Sequence, residues 1–578
     1  MTVGLAAGIA DHPVRVNRSG PIGGRIDAST SSSNGHPDVQ IADEAYVTEA
    51  EHVNATDESP MNRPLAILLA MAMFVLVVDT SIMNVSISAV VRDLETTVSG
   101  VQSAIALEAL VSAAFILIGS KVGDLIGRKR AYVLGLLGYA IGAAAMTLAQ
   151  DLFAIVFFWA IIGGIGASLL LPSMQSLIHG NFSGTAQKQV YALVGAAAAI
   201  AAAVGPLLGG FITTFFSWRI AFLLELVIII VVLCGIKLVH DVPYTGSRTI
   251  DVVGAVLSVV GMGGIVLGIL VWEEGGGYVL AILVGGAIAL AGFASWLIRR
   301  KRAEKPTLID PDLFQSKHFQ LGISQQMLQQ IALGGAMITL PIYLQMVLEY
   351  NALQAGLSIA PLSLSMFAIA MVAGKRTGAR RPSTIVRMGF ALFSIGIALL
   401  IPIIPRATSG WYLLGPLVIA GSGLGLLVSQ LNNYTLAPIS EERVSEAAGV
   451  NSAAGSFGLS FGLAFAGAIM LSTLAFTFTN LSQNSTVLPP SDKDRVAMAL
   501  DENAEVMSNT HLTELLASEP PEVRDEIIRI NTEARPIALQ VALLLPLIAG
   551  LIGLLNSFWM SRLPDIKPSS AAEGMVMG

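Results

Sequence analysis

Apolar runs of about twenty residues, each long enough to cross a hydrocarbon core as a helix, recur along this chain from Pro64 onward. They fall near 64–89, 100–121, 131–150, 152–178, 188–214, 218–240, 250–273, 277–298, 319–347, 354–374, 383–405, 411–438, 446–475 and 536–560, fourteen in all. Few soluble folds could bury that much apolar surface, since 54% of the residues are hydrophobic and only 13% charged. A bilayer core offers backbone groups no water, so spans of this length must bond internally as helices. The expected fold class is an all-α polytopic membrane protein with fourteen transmembrane helices.

An error of one helix in that count would scramble the sidedness of the basic loops, which makes charge placement a test of it. Lys121, Arg128, Lys129 and Arg130, then Arg299 to Arg302 and Lys305, then Lys375, Arg376, Arg380, Arg381 and Arg387 all fall on one side. The short loops opposite hold only Arg92, Arg219 and Arg406. Both termini are therefore expected in the cytoplasm of a protein of the plasma or inner membrane.

Residues 1–62 are rich in Ser, Gly, Asp and Asn, lack the pattern of a cleaved signal peptide, and read as a disordered cytoplasmic tail. Spans one to six (63–240) and nine to fourteen (319–560) have comparable lengths, which suggests two bundles about a central site. The two spans and basic loop of 241–318 look inserted between them. A long segment at about 476–535 carries eleven acids against five bases and is expected as an acidic extracytoplasmic cap; residues 561–578 form a second cytoplasmic tail. Cys234 is the only cysteine, so no intrachain disulfide or thiolate cluster can form.

Four stretches carry chemistry. In GSKVGDLIGRKR, after the second span, Asp124 can pair with Arg128 or Lys129 across a turn at Gly127, either as a latch that breaks when helices rock or as a plain positive-side anchor. In VGAAAAIAAAVGPLLGGFI, small residues permit close helix packing, and Pro206 bends the rod between Gly205 and Gly209, with Gly210 following. VLVVDTSIMNVSISAVV places Asp79 and Asn84 inside the first span, where an ionisable group is a functional candidate by default. QSAIALEALVSAAFILIG places Glu108 inside the second.

Together SKVGDLIGRK, VGPLLGGF, VVDTSIMNVSI, FSWRIAFLLE at 216–225 and TLPIYLQMVLEYNALQAGLSIAP at 339–361 resemble the major facilitator superfamily, in its fourteen-helix drug:proton antiporter group of multidrug exporters. The likeness runs over about 63 to 560. It implies the major facilitator fold, two six-helix bundles plus two central helices, and alternating access: one bundle rocks against the other, exporting a lipophilic, often cationic compound while protons enter. By matching position Asp79 would be the membrane-embedded proton acceptor, Asp124 with Arg128 the cytoplasmic latch, and Gly205, Pro206, Gly209 and Gly210 the flexible element of the fifth helix.

The chain departs from that family's pattern in ways that bear on coupling. Ala160 stands where the fourth helix usually has arginine, and Gly163 follows where glutamine is usual; Gly455 replaces a second arginine in the thirteenth helix. Ser120 and Leu125 replace a glycine and an arginine of the latch motif. In exchange, Glu108 replaces a tyrosine and Glu225 an asparagine. At 1.5 Å per residue, Asp79, Glu108 and Glu225 lie roughly 10 to 16 Å below the outer ends of their helices, so they share a depth. If all three face the cavity they form a carboxylate cluster without an evident basic partner, in which desolvation and repulsion keep some of the groups protonated. Such a cluster could trade protons for an organic cation; a helix contact or an interfacial position for Glu108 is the bland alternative.

Polar residues continue in the second half, where SQQMLQQ sets Gln325 beside Gln329 and Gln326 beside Gln330 at i, i+4 spacing, and Gln430, Asn432 and Asn433 follow in the twelfth span. Asn84, Gln325, Gln329 and Asn432 are candidates for a substrate path, with helix-to-helix hydrogen bonding an equal reading. There is no Walker A loop and no His or Cys pair at metal spacing, so no cofactor, ATP, metal or nucleic acid is expected, and no enzyme activity. The expected partners are a small molecule, protons and the lipid bilayer. The expected function is proton-coupled efflux of lipophilic, cationic compounds. Export of one endogenous metabolite or siderophore, and ligand sensing without transport, are the alternatives.

Overall fold

A computed structural model of the chain describes residues 62–241, 249–272, 277–375, 381–440, 443–502, 509–517 and 519–564. The tails expected over 1–62 and 561–578 lie almost wholly outside the described residues, as do Arg376 and Arg380. Fourteen helices are long and apolar enough to cross a membrane. The first seven are α1 (Arg63–Asp93), α2 (Val98–Ile126), α3 (Arg128–Leu148), α4 (Leu152–Asn181), α5 (Gln189–Phe215), α6 (Trp218–Leu238) and α7 (Val252–Leu270). The others are α8 (Gly277–Arg302), α9 (Lys317–Val347), α10 (Ala352–Ala373), α11 (Pro382–Arg406), α12 (Gly410–Leu436), α13 (Glu446–Asn484) and α14 (Pro521–Met560). No strand occurs among the described residues.

Local sequence explains where the spans begin. The Asn62 side chain accepts the Leu65 N–H ahead of Pro64 in the first turn of α1, and Thr97 accepts the Gly100 N–H at the start of α2. Asp251 caps α7 through the Gly254 N–H and also accepts the Trp296 indole N–H at 2.9 Å, which ties α7 to α8. Between α2 and α3 the chain turns at Gly127 with φ +97°, a left-handed conformation that disfavours any side chain.

Helices α1–α6 pack mainly on one another, as do α9–α14, while α7 and α8 form a hairpin leaning on α2 and α13. The two groups meet along α2 against α13 and α5 against α10. Close approach there depends on small residues: a Cβ on Gly210 would lie 2.9 Å from the Leu353 Cα. We call the end bearing the loops after α2, α8 and α10 the basic face and the opposite end the acidic face. Near the acidic face one apolar cluster joins the groups, drawing Met83, Ile105 and Phe222 together with Ile338, Leu463 and Phe478.

The acidic segment is shorter than its hydropathy suggests. α13 runs on to Asn484, past the expected 475, and α14 begins at Pro521, ahead of the expected 536. The charges of PPEVRDEIIRI mask an amphipathic turn whose Ile527, Ile530 and Ala534 are buried in the same cluster. Between these extensions lie two short helices, Lys493–Glu502 and Asn509–Leu515. Glu349, just past α9, accepts the Thr510 N–H at 3.0 Å and pins the second of them to the bundle.

On the basic face, Asp310 joins the α8–α9 linker to α13. Lys301 Nζ lies 2.9 Å and Arg443 Nη2 3.1 Å from its carboxylate, and its own N–H donates to Glu446. Partial burial works against the charge, but the Asp312 N–H, Lys301 and Arg443 outweigh it and hold the carboxyl below its ordinary range.

Candidate functional site

Asp79 sits about midway along α1 with its side chain turned into the first bundle, where it is 1% exposed. Two neutral donors hold it. Tyr139 of α3 donates its hydroxyl to Oδ2 at 2.5 Å, and the Trp159 indole N–H of α4 reaches Oδ1 at 3.1 Å and Oδ2 at 3.0 Å. Trp159 lies in a π-helical stretch, Ile155–Gly163, a local widening that recurs at functional positions in helices. Its ring packs edge-on against Phe222 of α6, with centroids 6.4 Å apart.

Glu108 and Glu225 come to the same place. Both are buried, both interact electrostatically with Asp79, and all three acids act on the Tyr139 hydroxyl. Glu225 keeps one carboxyl oxygen, Oε1, buried without a partner. Among the described residues no lysine or arginine pairs with any of the three. Glu108 therefore faces Asp79 inside the first bundle and is 8% exposed.

The positions of the missing arginines are filled differently. Ala160 is fully buried in the apolar cluster beside Trp159. At Gly455 a Cβ would lie 3.3 Å from Gln326 Nε2 and 3.7 Å from Gln330 Cγ, so two glutamines of α9 occupy the space.

Between the two bundles lies a cavity of about 290 Å3, bounded by α1, α5, α9, α10 and α13. α1 contributes Thr80, Ser81 and Asn84, α5 contributes Pro206, α9 Gln330 and α10 Ser363; no charged side chain lines it. The cavity stripe and Asp79 are on opposite sides of α1, roughly 150° apart at about 100° per residue. The three acids thus do not line the cavity, contrary to the condition set by their shared depth, because depth alone leaves the facing of a helix undetermined. Toward the acidic face the bundles are joined above the cavity. The Ser88 N–H and hydroxyl both donate to Gln345 Oε1, and the Leu353 N–H donates to Thr214 Oγ1 at 3.0 Å.

Of the other candidates for a substrate path, only Asn84 borders this cavity. Gln325 donates to the Gly553 carbonyl at 2.9 Å, Asn432 accepts from Asn451 at 2.7 Å, and Gln329 is buried within the second bundle. The first two are helix-to-helix bonds. In the loop after α2, Arg128 forms its ion pair with Asp124 and donates to the Ser120 carbonyl at 3.2 Å. Lys129 instead turns to the end of α6, with its N–H on Asp241 at 3.0 Å and its ammonium on the Val239 carbonyl at 2.7 Å. A Cβ on Gly127 would meet that Asp241 carboxylate at 2.7 Å. In α5, Gly205 and Gly209 pack on Ser81 and Ile82 of α1, whereas Gly210 packs on α10, with Pro206 inside the helix between them.

Tyr139, Trp159, Ser363 and Asp241 were not singled out from sequence. A Tyr and a Trp deep in apolar spans were the available signal, because each must place a polar hydrogen somewhere.

The helical arrangement resembles that of a bacterial homologue of the human lysosomal transporter Spinster, with TM-score 0.58 at 12% identity over 87% of this chain and 98% of that one. Among curated relatives, the probable actinorhodin transporter of Streptomyces coelicolor is 25% identical over 79% of each chain. The multidrug resistance protein Stp of Mycobacterium tuberculosis is 26% identical over 72% of this chain and 78% of its own. Residues 69–463 match the family described as the Major Facilitator Superfamily, and the chain, a multi-pass membrane protein, belongs to it.

Proposed function

We propose that this protein exports lipophilic small molecules across the plasma membrane in exchange for protons, with the basic face and both termini in the cytoplasm. The observation that carries the reading is the carboxylate trio, Asp79, Glu108 and Glu225, buried one helix thickness behind a central cavity and supported by neutral donors. A buried carboxylate without a cation is costly when charged, by several kcal/mol. Protonation from the acidic face therefore favours the packing of α1 against α3, α4 and α6, and release toward the basic face requires that packing to admit water. α1 is also a wall of the cavity, so the same movement changes what the cavity contacts. Proton loading and cargo release are thereby linked through one helix, with the membrane potential adding about 2.3 kcal/mol per charge per 100 mV.

In this reading Asp79 takes the coupled proton, and Glu108 and Glu225 share it. The pair Asp124–Arg128, with Gly127 and Lys129, holds the basic face, and Pro206, which lacks an N–H for the helix ladder, lets α5 flex with both bundles. The relatives named for multidrug resistance and for one compound support export, and the second keeps a single-cargo exporter as the closest alternative. Ethidium uptake into inverted vesicles under an imposed proton gradient tests the proposal. The parent should accumulate dye only with the gradient, and Asp79→Asn should not; gradient-independent uptake by the parent would refute proton coupling.

A further inference from the structure

We infer that Gln345 is the pin of an exit gate at the acidic face: the outer end of α9 roofs the central cavity, and Gln345 must part from Ser88 of α1 for cargo to leave. The inference rests on the reading of this cavity as the cargo site of an exporter. Counting toward the acidic face, the last cavity-lining residue of α1 is Val85 and that of α9 is Pro341, and the two helices meet about one turn further on. There a single oxygen, Gln345 Oε1, accepts both the Ser88 N–H at 3.2 Å and the Ser88 hydroxyl. Both residues are buried.

The ladder of α9 is weakened just before this contact. Pro341 has no N–H to give it, and Tyr343–Val347 follows as a π-helical turn that carries Gln345. Behind the turn, the Tyr343 hydroxyl donates to the Ile404 carbonyl at 2.9 Å, a bond inside the second bundle. The hold on the first bundle is made of neutral bonds only: Gln345 to α1 and, at the start of α10, the Leu353 N–H to Thr214 Oγ1 of α5 at 3.0 Å. The Gln345 amide nitrogen is buried without a partner among the described residues, and that cost offsets part of what its oxygen gains. The closed gate is thus held near balance. Asp79 lies about 14 Å before Ser88 on the same helix, so a shift of α1 set off by proton exchange reaches the pin directly.

The test uses the full chain in liposomes with the acidic face outward, carrying Cys234→Ser and one reporter on the cavity wall, Met337→Cys. A membrane-impermeant thiol reagent added outside reaches the reporter only when the roof opens. Ser88→Ala deletes the hydroxyl donor and should label about threefold faster, the ratio that one hydrogen bond between membrane helices supports. Thr214→Val, which removes the second tie, should move the same way, whereas Tyr343→Phe should label at the parent rate. In the locking arm, Ser88→Cys with Gln345→Cys, bridged by a short bifunctional thiol reagent in a chain without other cysteines, should lower gradient-driven ethidium uptake by about tenfold or more. Parent-rate labelling of both Ser88→Ala and Thr214→Val overturns the inference whether or not the paired cysteines bridge. Equal acceleration by Tyr343→Phe overturns it too, as does undiminished uptake by the bridged chain. Parent-rate labelling with intact dye uptake removes the gate alone. Accelerated labelling in a chain that moves no dye removes the exporter reading and leaves a roofed binding cavity.

Discussion

The two bundles treat buried polarity in opposite ways. In the first, three carboxyls share one depth around Tyr139 and Trp159, and an Asp124–Arg128 pair lies at the basic face. The interior of the second is built on amides: Gln325 on the Gly553 carbonyl, Asn432 with Asn451, and Gln326 and Gln330 filling the space beside Gly455. Amides keep one protonation state at any accessible pH, whereas a buried carboxyl changes charge and so changes how its helix packs. Under the proposed exchange the proton-responsive carboxyls belong to the first bundle, and the second, apart from His318 near the basic face and Arg535 near the acidic one, offers buried amides as the counter-surface.

The strongest way to break this comparison is to neutralise one member of each interior. Asp79→Asn should reduce gradient-driven dye uptake to the level seen without a gradient. Gln329→Leu, at a buried amide of the second bundle, should stay within about threefold of the parent, because a hydrogen bond between membrane helices is worth only about 0.6 kcal/mol even where one is made. Comparable losses in the two variants would end the claim that coupling is one-sided.

Next in size are the donors to Asp79. A hydrogen bond to a charged group is worth about 1.5–3 kcal/mol, so Tyr139→Phe and Trp159→Phe should each cut coupled uptake by about tenfold or more. Because both donors act on one carboxylate, the double variant should fall short of the product of the two single effects. Additive losses, measured in the same vesicle assay, would mean that the two side chains act independently of Asp79.

What could be read from sequence follows the same division. The fourteen spans were legible because a run of twenty apolar residues has one physical solution in a bilayer, whereas spacing left Asp124 within reach of both Arg128 and Lys129, and the family motif pointed to Arg128. The shared depth of Asp79, Glu108 and Glu225 followed from the constant rise of a helix, but their meeting behind α1, away from the cavity, did not. Which side of α1 looks into the cavity depends on how α5, α9 and α10 pack on it, and the near-uniform hydropathy of α1 carries little of that information. Asp241 was missed for a related reason: it lies 112 positions beyond Lys129, whose N–H it accepts, and no local spacing links them.

The Asp124–Arg128 pair sharpens the comparison at the basic face. Asp124 is 6% exposed, so Arg128→Ala would leave a largely buried carboxylate unpaired, at a cost of about 3 kcal/mol in stability. Thermal unfolding in detergent should show a clear drop for Arg128→Ala and a partial recovery when Asp124→Asn is added. No recovery in the double variant would mean that the arginine acts through the Ser120 carbonyl and not through the acid.

The smallest expected effect concerns Gln325. Its Nε2 donates to the Gly553 carbonyl and more weakly to Met560 Sδ, but its Oε1 is buried and unpaired, so Gln325→Leu removes one strong bond, one weak one and an unsatisfied acceptor together. Loss of the bond costs about 0.6 kcal/mol, loss of the orphaned oxygen returns a similar amount, and the leucine adds apolar packing against Met560. The net change in stability should therefore fall within about 0.5 kcal/mol, with dye uptake within twofold of the parent. A large loss of uptake without a loss of stability would place Gln325 on the route of the cargo or the proton, and the second bundle would then no longer be a neutral counter-surface.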